Sequence, residues 1–131
     1  MSTAPLPEVT PLSEPYWTAL AEGRLMHQRC VGCGNAWLPA REECPHCLAA
    51  APRWVDSSGE GRVISWVVYH QAVHEYFADK VPYTVAVIEL AEGPRLISSL
   101  VGDAPAIDAP VRFRPAEIDG FAVTSFELAR D

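Results

Sequence analysis

Four cysteines in one short stretch constrain the fold of this chain more than any other feature of its sequence. They form two Cys-x-x-Cys pairs with ten residues between the pairs, and the chain contains no other cysteine. Two thiolates that are two residues apart can bind one ion from a tight turn, and two such turns close a tetrahedral shell of four sulfurs. The predicted metal ligands are Cys30, Cys33, Cys44 and Cys47.

The closed sulfur shell predicts a structural metal, because it leaves no coordination position open for water or substrate. We expect one zinc ion per chain and no catalytic residue among the cysteines. Iron in a rubredoxin-like centre is the alternative, since both metals accept four sulfurs. A thioredoxin-like redox pair is disfavoured because no strand-helix unit follows the pairs. His27 and His46 lie close to the pairs, and we interpret them as histidines that do not bind the metal.

Residues 24–58 contain the metal ligands but too few aliphatic residues to form a core of their own. Zinc ligation contributes about 10 to 16 kcal/mol in small peptides, which exceeds the contribution of a few buried side chains. We therefore predict a zinc ribbon in which the metal replaces a hydrophobic core. Four thiolates on a divalent cation leave excess negative charge, which Arg29, Arg41 or Arg53 can offset.

Residues 1–23 are predicted to form a proline-rich extended arm followed by a short helix. Ser13 can cap this helix and Pro15 suits its first turn. Gly23 can end it. A helix of about ten residues is not stable alone in water, so it needs a surface to pack on, in this chain or in a partner.

Residues 59–131 are predicted to be an all-β domain. The segments between its apolar runs supply Gly and Asp for reverse turns, so most neighbouring strands should be antiparallel. The run Val85-Ala86-Val87-Ile88 is apolar at consecutive positions, as expected where strands curl into a closed barrel or meet a second layer. Five strands in a segment of this length favour an OB-fold barrel. The predicted strands are Val63–Tyr69, Tyr83–Leu90, Arg95–Val101, Val111–Arg114 and Phe121–Leu128. The predicted fold class is mainly β, with an N-terminal helix, a four-cysteine zinc ribbon and a five-stranded OB-fold barrel.

The charge balance disfavours nucleic acid as a partner. Ten basic and 17 acidic residues give a formal net charge of −7, which repels phosphate groups at long range. No apolar run approaches the roughly 20 residues that span a bilayer. The start of the chain also lacks the basic and apolar segments of a secretory signal. We therefore expect a cytoplasmic protein without a membrane segment.

Two stretches of the sequence resemble a known family. One runs from Cys30-Val31-Gly32-Cys33-Gly34 through Trp37-Leu38-Pro39-Ala40-Arg41 to Cys44-Pro45-His46-Cys47. The other joins Pro82-Tyr83-Thr84-Val85-Ala86-Val87-Ile88-Glu89-Leu90 to Glu92-Gly93-Pro94-Arg95-Leu96. Together they are similar to the acyl-CoA-associated OB-fold proteins with a rubredoxin-like zinc ribbon, formerly a domain of unknown function.

The resemblance implies a non-catalytic accessory subunit that binds acyl-CoA and forms a hetero-oligomer with an enzyme. The implied partner is a thiolase-fold enzyme, which is a thiolase or an aldolase, or else an enoyl-CoA hydratase. The implied setting is acyl-CoA, lipid or steroid side-chain metabolism. In such a complex the barrel would help to hold the coenzyme A portion of the substrate or would order the active site of the partner.

The residues themselves show no constellation of a nucleophile and a base, no Gly-x-Ser-x-Gly elbow and no phosphate-binding glycine loop. Residues 70–80 form a long predicted loop with two histidines, two aromatic residues and the sole lysine, which is typical of a recognition surface. Guanidinium groups suit phosphate oxygens, so the arginines of the barrel are candidates to contact coenzyme A. These arginines are Arg62, Arg95, Arg112 and Arg114. The candidate ligand- or partner-binding residues are Arg41, His70, His74, Tyr76, Lys80, Tyr83 and Arg95.

Two alternative functions stay open from the sequence. The first is a nucleic-acid binding module, since zinc ribbons and OB barrels both serve that purpose. The second is a stand-alone acyl-CoA thioesterase or transferase, for which no catalytic group stands out.

Overall fold

A computed structural model of the chain describes residues 8–50, 52–71, 78–102 and 105–129. In these ranges the chain forms one short helix and eight strands, so the predicted fold class is confirmed. The helix is α1 (Glu14–Ala21), and the ribbon strands are β1 (Met26–Cys30), β2 (Ala36–Trp37) and β3 (Pro52–Asp56). The remaining strands are β4 (Glu60–Tyr69), β5 (Tyr83–Leu90), β6 (Arg95–Val101), β7 (Pro110–Ile118) and β8 (Phe121–Leu128).

Helix α1 starts and stops close to the predicted positions. The side chain of Ser13 does not cap it; instead Ser13 Oγ accepts a hydrogen bond from the N–H of Thr10 at 3.0 Å. At the other end the N–H of Gly23 donates to the carbonyl of Leu20, and Gly23 takes the left-handed φ of +79°. This is the glycine-terminated helix end that the sequence predicts. The buried Leu20 anchors the helix in the core of the barrel, so the surface that the helix needs lies in its own chain.

The ribbon is a three-stranded antiparallel sheet in the order β2-β1-β3. The barrel closes in the order β4-β5-β6-β8-β7, with β7 also paired to β4. All neighbours in the barrel are antiparallel except β6 and β8, which are parallel. The hairpin between β7 and β8 turns at Asp119 and Gly120, both of which have positive φ, as a two-residue hairpin turn requires.

Two barrel strands are longer than predicted. Strand β4 begins at Glu60, and β7 continues past Arg114 to Ile118. Proline normally interrupts a strand because it has no N–H to donate, and Pro115 lies inside β7. It is tolerated because β7 pairs with β4 only over Pro110–Arg112, so beyond that point β7 has β8 as its one partner.

The core of the barrel consists of inward side chains from its strands, joined by Leu20 of the helix and Leu25 before the ribbon. Gly61 is required in β4, since a Cβ there would lie 2.7 Å from the carbonyl oxygen of Glu89. The buried barrel residues are Val63, Ala86, Ile88, Leu90, Leu100, Val111 and Phe126. No helix in the described ranges has the length and apolar character needed to cross a membrane.

The ribbon and the barrel are connected through one glutamate. Glu92 lies in the turn between β5 and β6, and its carboxylate accepts hydrogen bonds from Ser57 Oγ at 2.9 Å and from the N–H of Ser58 at 2.7 Å. Both serines follow β3 directly, and the N–H of Ser57 also donates to the carbonyl of Leu25. The turn of the barrel therefore holds the segment that leads out of the ribbon.

Candidate metal centre

The four cysteine sulfurs lie together at the tip of the ribbon, all within 4.8 Å of one another. The Sγ atoms of Cys30 and Cys47 are 3.6 Å apart, as are those of Cys33 and Cys44. A tetrahedral zinc ion with bonds of about 2.3 Å to sulfur places its ligands about 3.8 Å apart. The four cysteines therefore fit a single ion, and no other group of potential ligands of this size occurs in the described parts of the chain.

The first knuckle, residues 30–35, is closed by backbone hydrogen bonds. The N–H of Gly34 donates to the carbonyl of Cys30 at 3.0 Å, and the N–H of Cys30 donates to the carbonyl of Asn35 at 2.8 Å. The N–H of Cys33 lies 3.5 Å from Cys30 Sγ. Gly34 has a φ of +79°, which glycine adopts without strain. The first knuckle therefore turns without backbone strain at this position.

The second knuckle, residues 44–49, repeats this arrangement. The N–H of Leu48 donates to the carbonyl of Cys44 at 2.8 Å, and the N–H of Cys44 donates to the carbonyl of Ala49 at 3.0 Å. The N–H groups of His46 and Cys47 point at Cys44 Sγ, at 3.3 Å and 3.4 Å. The two knuckles thus present their sulfurs in the same way from two different loops.

Backbone N–H groups favour the thiolate form of the leading cysteine in each knuckle. In the first knuckle the N–H of Cys33 lowers the pKa of the Cys30 thiol. At Cys44 burial acts to raise the pKa, but the N–H groups of Cys47 and His46 outweigh it and lower the pKa to about 6. Metals bind the thiolate, so these donors prepare the sulfurs for a cation and orient them toward it.

A buried glutamine that the sequence pattern does not single out supports the site. Gln28 of β1 accepts hydrogen bonds at its side-chain oxygen from Trp37 Nε1 at 2.8 Å and from the N–H of Arg41 at 2.7 Å. Trp37 in turn packs with the buried Cys30 and Cys44. Glutamine is usually exposed, and the only signal for burial at this position is strand alternation, which puts Gln28 on the same side as the buried Cys30 two residues later.

The residues around the cysteines have separate structural roles. Arg29 donates from Nη1 to the carbonyl of Gly34 at 3.0 Å, which places one of the three candidate compensating charges beside the first knuckle. Neither His27 nor His46 belongs to the ligand group. His27 is buried with only 1% of its surface exposed, and neither ring nitrogen has a hydrogen-bond partner in the described structure.

The candidate ligand-binding residues do not converge on one place. His74 and Tyr76 lie outside the described residues. His70 is exposed at the end of β4, and Lys80 forms an ion pair with Asp79 at 3.5 Å. Tyr83 stacks on Tyr69 at the start of β5, with ring centroids 5.1 Å apart.

Arg95 and Arg41 lie elsewhere. Arg95 is opposite Glu89, six residues along β5 from Tyr83, which is roughly 20 Å at about 3.3 Å per residue. Arg41 belongs to the ribbon, where its backbone N–H binds Gln28. These residues can contact one ligand only if it is extended or if a partner completes the site.

Three of the four candidate phosphate-binding arginines already have carboxylate partners. Arg62 pairs with Glu89 at 2.8 Å and also contacts Asp108. Arg95 pairs with the other oxygen of Glu89 at 2.9 Å. Arg112 pairs with Glu127 at 2.9 Å. The two arginines beside Glu89 lower the pKa of its carboxyl group.

Comparison with known proteins identifies both halves of the chain. Residues 17–53 match the profile of the ChsH2 rubredoxin-like zinc ribbon domain. Residues 54–114 match the profile of the ChsH2 C-terminal OB-fold domain. The two matches are adjacent and together cover the ribbon and four of the five barrel strands, wholly or in part.

Two curated relatives are similar over most of the chain. A probable enoyl-CoA hydratase alpha subunit of Thermomonospora curvata is 38% identical over 101 residues, which is 77% of this chain and 31% of that protein. A DUF35 domain-containing scaffold protein of Methanocaldococcus jannaschii is 37% identical over 82 residues, covering 62% of this chain and 57% of that protein. This chain therefore matches about a third of the first relative and little more than half of the second.

One solved structure is similar along its whole length. It is described as the Ltp2-ChsH2(DUF35) aldolase, and its matching chain is 33% identical with a TM-score of 0.84. The match covers 95% of this chain and 100% of that one. The similarity therefore extends to the helix, the ribbon and the barrel together.

Proposed function

Because the chain belongs to the DUF35 family, which joins a ChsH2-type zinc ribbon to an OB-fold barrel, we propose that it is a non-catalytic accessory subunit of an enzyme that acts on acyl-CoA. The observation that carries the proposal is the match to every residue of the DUF35 chain in the Ltp2-ChsH2 aldolase structure. The hydratase alpha subunit points to the same kind of role. The proposed partner is a thiolase-fold enzyme or an enoyl-CoA hydratase.

The chemistry of the described residues supports a role without catalysis. All four thiols belong to the metal group, where a closed sulfur shell leaves no position for a substrate. The hydroxyl of Ser98 donates to the carbonyl of Ser99, and the hydroxyl of Ser99 donates to Ser125 Oγ. No hydrogen bond in the described structure joins a serine hydroxyl to a histidine, so no activated serine is present among these residues.

The metal has a structural role in this proposal. One zinc ion per chain would be held by the four cysteines and would fix the two knuckles against each other. That ribbon packs beside the helix and is held to the barrel through Glu92. The zinc thereby sets the shape of the surface that the barrel, helix and ribbon present to a partner.

Acyl-CoA binding is the finer part of the proposal. We place the coenzyme A portion against the barrel, where the exposed Arg114 offers a guanidinium group and Tyr83, His70 and Lys80 flank the far end. Since these residues are spread along the barrel, the partner would have to supply part of the site. The proposed setting is acyl-CoA, lipid or steroid side-chain metabolism in the cytoplasm.

Co-expression with the thiolase-fold enzymes and hydratase subunits of the same genome tests the proposal. We expect one complex in size-exclusion chromatography and partner activity that falls when this chain is omitted. Calorimetric titration with acetyl-CoA should show tighter binding to the complex than to either subunit alone. A chain that always purifies alone beside a fully active partner contradicts the accessory role.

The two alternative functions make distinct predictions. A stand-alone thioesterase would release free thiol from acyl-CoA without any partner, which a thiol-reactive dye detects. A nucleic-acid binding module would bind single-stranded oligonucleotides tightly and with strong salt dependence. We expect neither, because no serine–histidine pair occurs among the described residues and the net charge of −7 repels phosphate groups.

A further inference from the structure

The outer surface of three neighbouring barrel strands is mostly apolar beyond the charged row of Arg62, Glu89 and Arg95 at one end. We call it the β4–β6 face. In its rows, Val67 is opposite Val85, which is opposite Ser99, and Ser65 is opposite Val87, which is opposite Ile97. The residues of the β4–β6 face are Ser65, Val67, Val85, Val87, Ile97, Ser99 and Val101.

The alternation of the strands shows that these side chains point outward. On β5 the buried Ala86 and Ile88 alternate with Val85 and Val87, and successive side chains of a strand point to opposite sides. Ile97 is 72% exposed and Val67 is 52% exposed. The apolar run in β5 therefore has one half in the core of the barrel and the other half on its surface.

Outward positions of an antiparallel strand are normally polar when the other side faces the core. Strands β7 and β8 of this barrel follow the rule, with Arg112, Arg114 and Glu127 facing outward. The β4–β6 face does not. Closure of the barrel covers only the inward side of such a run, and helix α1 packs on β8 and β1 rather than on this face. The outward apolar side chains therefore have no covering layer among the described elements.

An apolar cavity opens next to the β4–β6 face. It has a volume of about 430 Å³ and lies where the helix, the ribbon and β6 meet. Tyr16 and Trp17 line it from the helix, Leu38 and Pro39 from the ribbon, and Ile97 from the face itself. A flat apolar surface beside an apolar cavity is the arrangement in which a partner buries one large anchoring side chain.

Arg95 lies at the rim of this cavity and indicates which charge a binding partner presents there. Its Nε donates to Glu89, and its two Nη nitrogens have no hydrogen-bond partner among the described residues. Glu89 is already shared with Arg62. The cluster therefore has guanidinium donors available for a further carboxylate, which forms strong paired hydrogen bonds with arginine.

A second copy of this chain fits these requirements poorly. If two β4–β6 faces packed together, Arg95 of one copy would meet either the same charged end of the other copy, where Arg62 and Arg95 already bind both oxygens of Glu89, or the opposite end of the face. The outward residues at that opposite end are Tyr69 and Val101, neither of which carries a carboxylate. The occupant is thus a different protein, with a flat apolar patch, one projecting apolar side chain and an acidic residue.

We propose that the β4–β6 face and its cavity are the docking surface for the partner enzyme subunit. This rests on the accessory role proposed above and specifies where the partner binds. The variant Ile97→Glu places a charge in the centre of the surface, and because Ile97 is exposed the fold should be unaffected. The matched control is Ile107→Glu, which changes an isoleucine that is 58% exposed between β6 and β7.

Binding is measured by calorimetry between each purified variant and the thiolase-fold or hydratase subunit that co-purifies with the wild-type chain. We expect Ile97→Glu to weaken binding at least about 30-fold, as loss of a central interface residue does. Ile107→Glu should stay close to the wild type. Arg95→Gln should weaken binding less and should reduce its dependence on salt.

The outcomes distinguish failure of the proposed docking surface from failure of the proposed accessory role. Wild-type binding that survives Ile97→Glu overturns the docking surface but leaves the accessory role intact. A wild-type chain that forms no complex with the partner overturns both. If the isolated chain is a dimer by light scattering and Ile97→Glu makes it monomeric, the face binds a second copy and the proposal of a different partner is wrong.

Discussion

Leu48 occupies in the second metal knuckle the place that Gly34 occupies in the first. Each residue donates its N–H to the carbonyl of the leading cysteine, Cys44 or Cys30, and each has a left-handed backbone, with φ of +67° and +79°. Leucine in this conformation brings Cβ close to the backbone, at a cost of roughly 1 to 2 kcal/mol. The side chain of Leu48 is 68% exposed and gains little from burial. The second knuckle therefore carries strain that the first avoids.

This asymmetry predicts that Leu48→Gly does not destabilise the metal-bound protein. Relief of the left-handed strain should offset the extra freedom of glycine in the unfolded chain, for a net change of about 0 to 1 kcal/mol in favour of folding. Thermal unfolding in excess zinc measures the change. Gly34→Ala is the converse variant and should lower stability. A clear loss of stability in Leu48→Gly would show that its side chain makes a contact that outweighs the strain.

The metal should determine whether the ribbon folds. Cys44→Ser removes a buried ligand, and the ribbon has only a small cluster around Trp37 to replace it. We expect loss of the ion and unfolding of residues 26–56, since about 10 to 16 kcal/mol of ligation energy stabilises such a site. The barrel has its own core and should stay folded.

Elemental analysis and hydrogen exchange test this prediction together. Wild-type protein should contain one zinc per chain, and Cys44→Ser should contain none. Amides of β1 and β3 should then exchange rapidly while those of β5 stay protected. Removal of zinc from the wild type by a chelator is the matched control and should produce the same pattern. Protected β1 amides in the metal-free protein would mean that the metal is dispensable for the ribbon.

The parts of the structure that depend on local pattern could be predicted from the sequence. The cluster of four cysteine sulfurs follows from the spacing of the two pairs, and the barrel strands follow from alternating and continuous apolar runs between turn residues. The extent of β7 could not be predicted in this way. Whether Pro115 ends a strand depends on which strand lies beside it, and that neighbour is set by the closure of the barrel.

Gln28 and Arg95 show two further limits of structure prediction from the sequence. Gln28 appears as an ordinary polar residue until the knuckle brings Trp37 and Arg41 onto its side-chain oxygen. Arg95 reads as a free phosphate-binding residue, but the hairpin register places Glu89 opposite it. Both roles depend on which residues the fold brings into contact. Those partners lie several positions away in the sequence and are set by the knuckle and by the strand register.

Glu92 should couple the ribbon to the barrel. Its carboxylate accepts hydrogen bonds from Ser57 and Ser58, so Glu92→Ala removes two hydrogen bonds to a charged group, at about 1 to 2 kcal/mol because water reaches the exposed Ser58. Burial acts to raise the pKa of Glu92, but these donors outweigh it and the net pKa is lowered. The stabilisation is therefore present above the unfolded pKa of about 4.3 and is lost as the pH falls through the folded value.

Chemical unfolding at pH 7.5 measures the effect of Glu92→Ala. The control is Glu117→Ala, which removes an exposed glutamate from β7 and should change the free energy of unfolding by less than about 0.5 kcal/mol. Faster exchange of amides in β3 of Glu92→Ala, with the metal retained, would locate the effect at the junction. Equal stability of the two variants would contradict the coupling role.

His27 should make the protein less stable as the pH falls below neutrality. Burial has the largest effect on the pKa of His27 and lowers it. The smaller effects are those of the nearby Glu92, which acts to raise the pKa, and of Arg29, which acts to lower it. Since the folded pKa lies below the unfolded value of about 6.5, the unfolded chain takes up the proton first and is favoured below that pH. The resulting loss of stability cannot exceed about 1.4 kcal/mol per pH unit.

His27→Leu should remove this dependence and should not destabilise the protein. The imidazole is buried without a hydrogen-bond partner for either nitrogen in the described structure, and burial of such a group costs about 1 to 3 kcal/mol. Zinc-saturated wild type and variant are compared by chemical unfolding at pH 7.5 and pH 6.0, with the exposed His70→Leu as the control for loss of an imidazole. The advantage of His27→Leu should grow at the lower pH. An advantage that is equal at both pH values would contradict the lowered pKa of His27 in the folded protein.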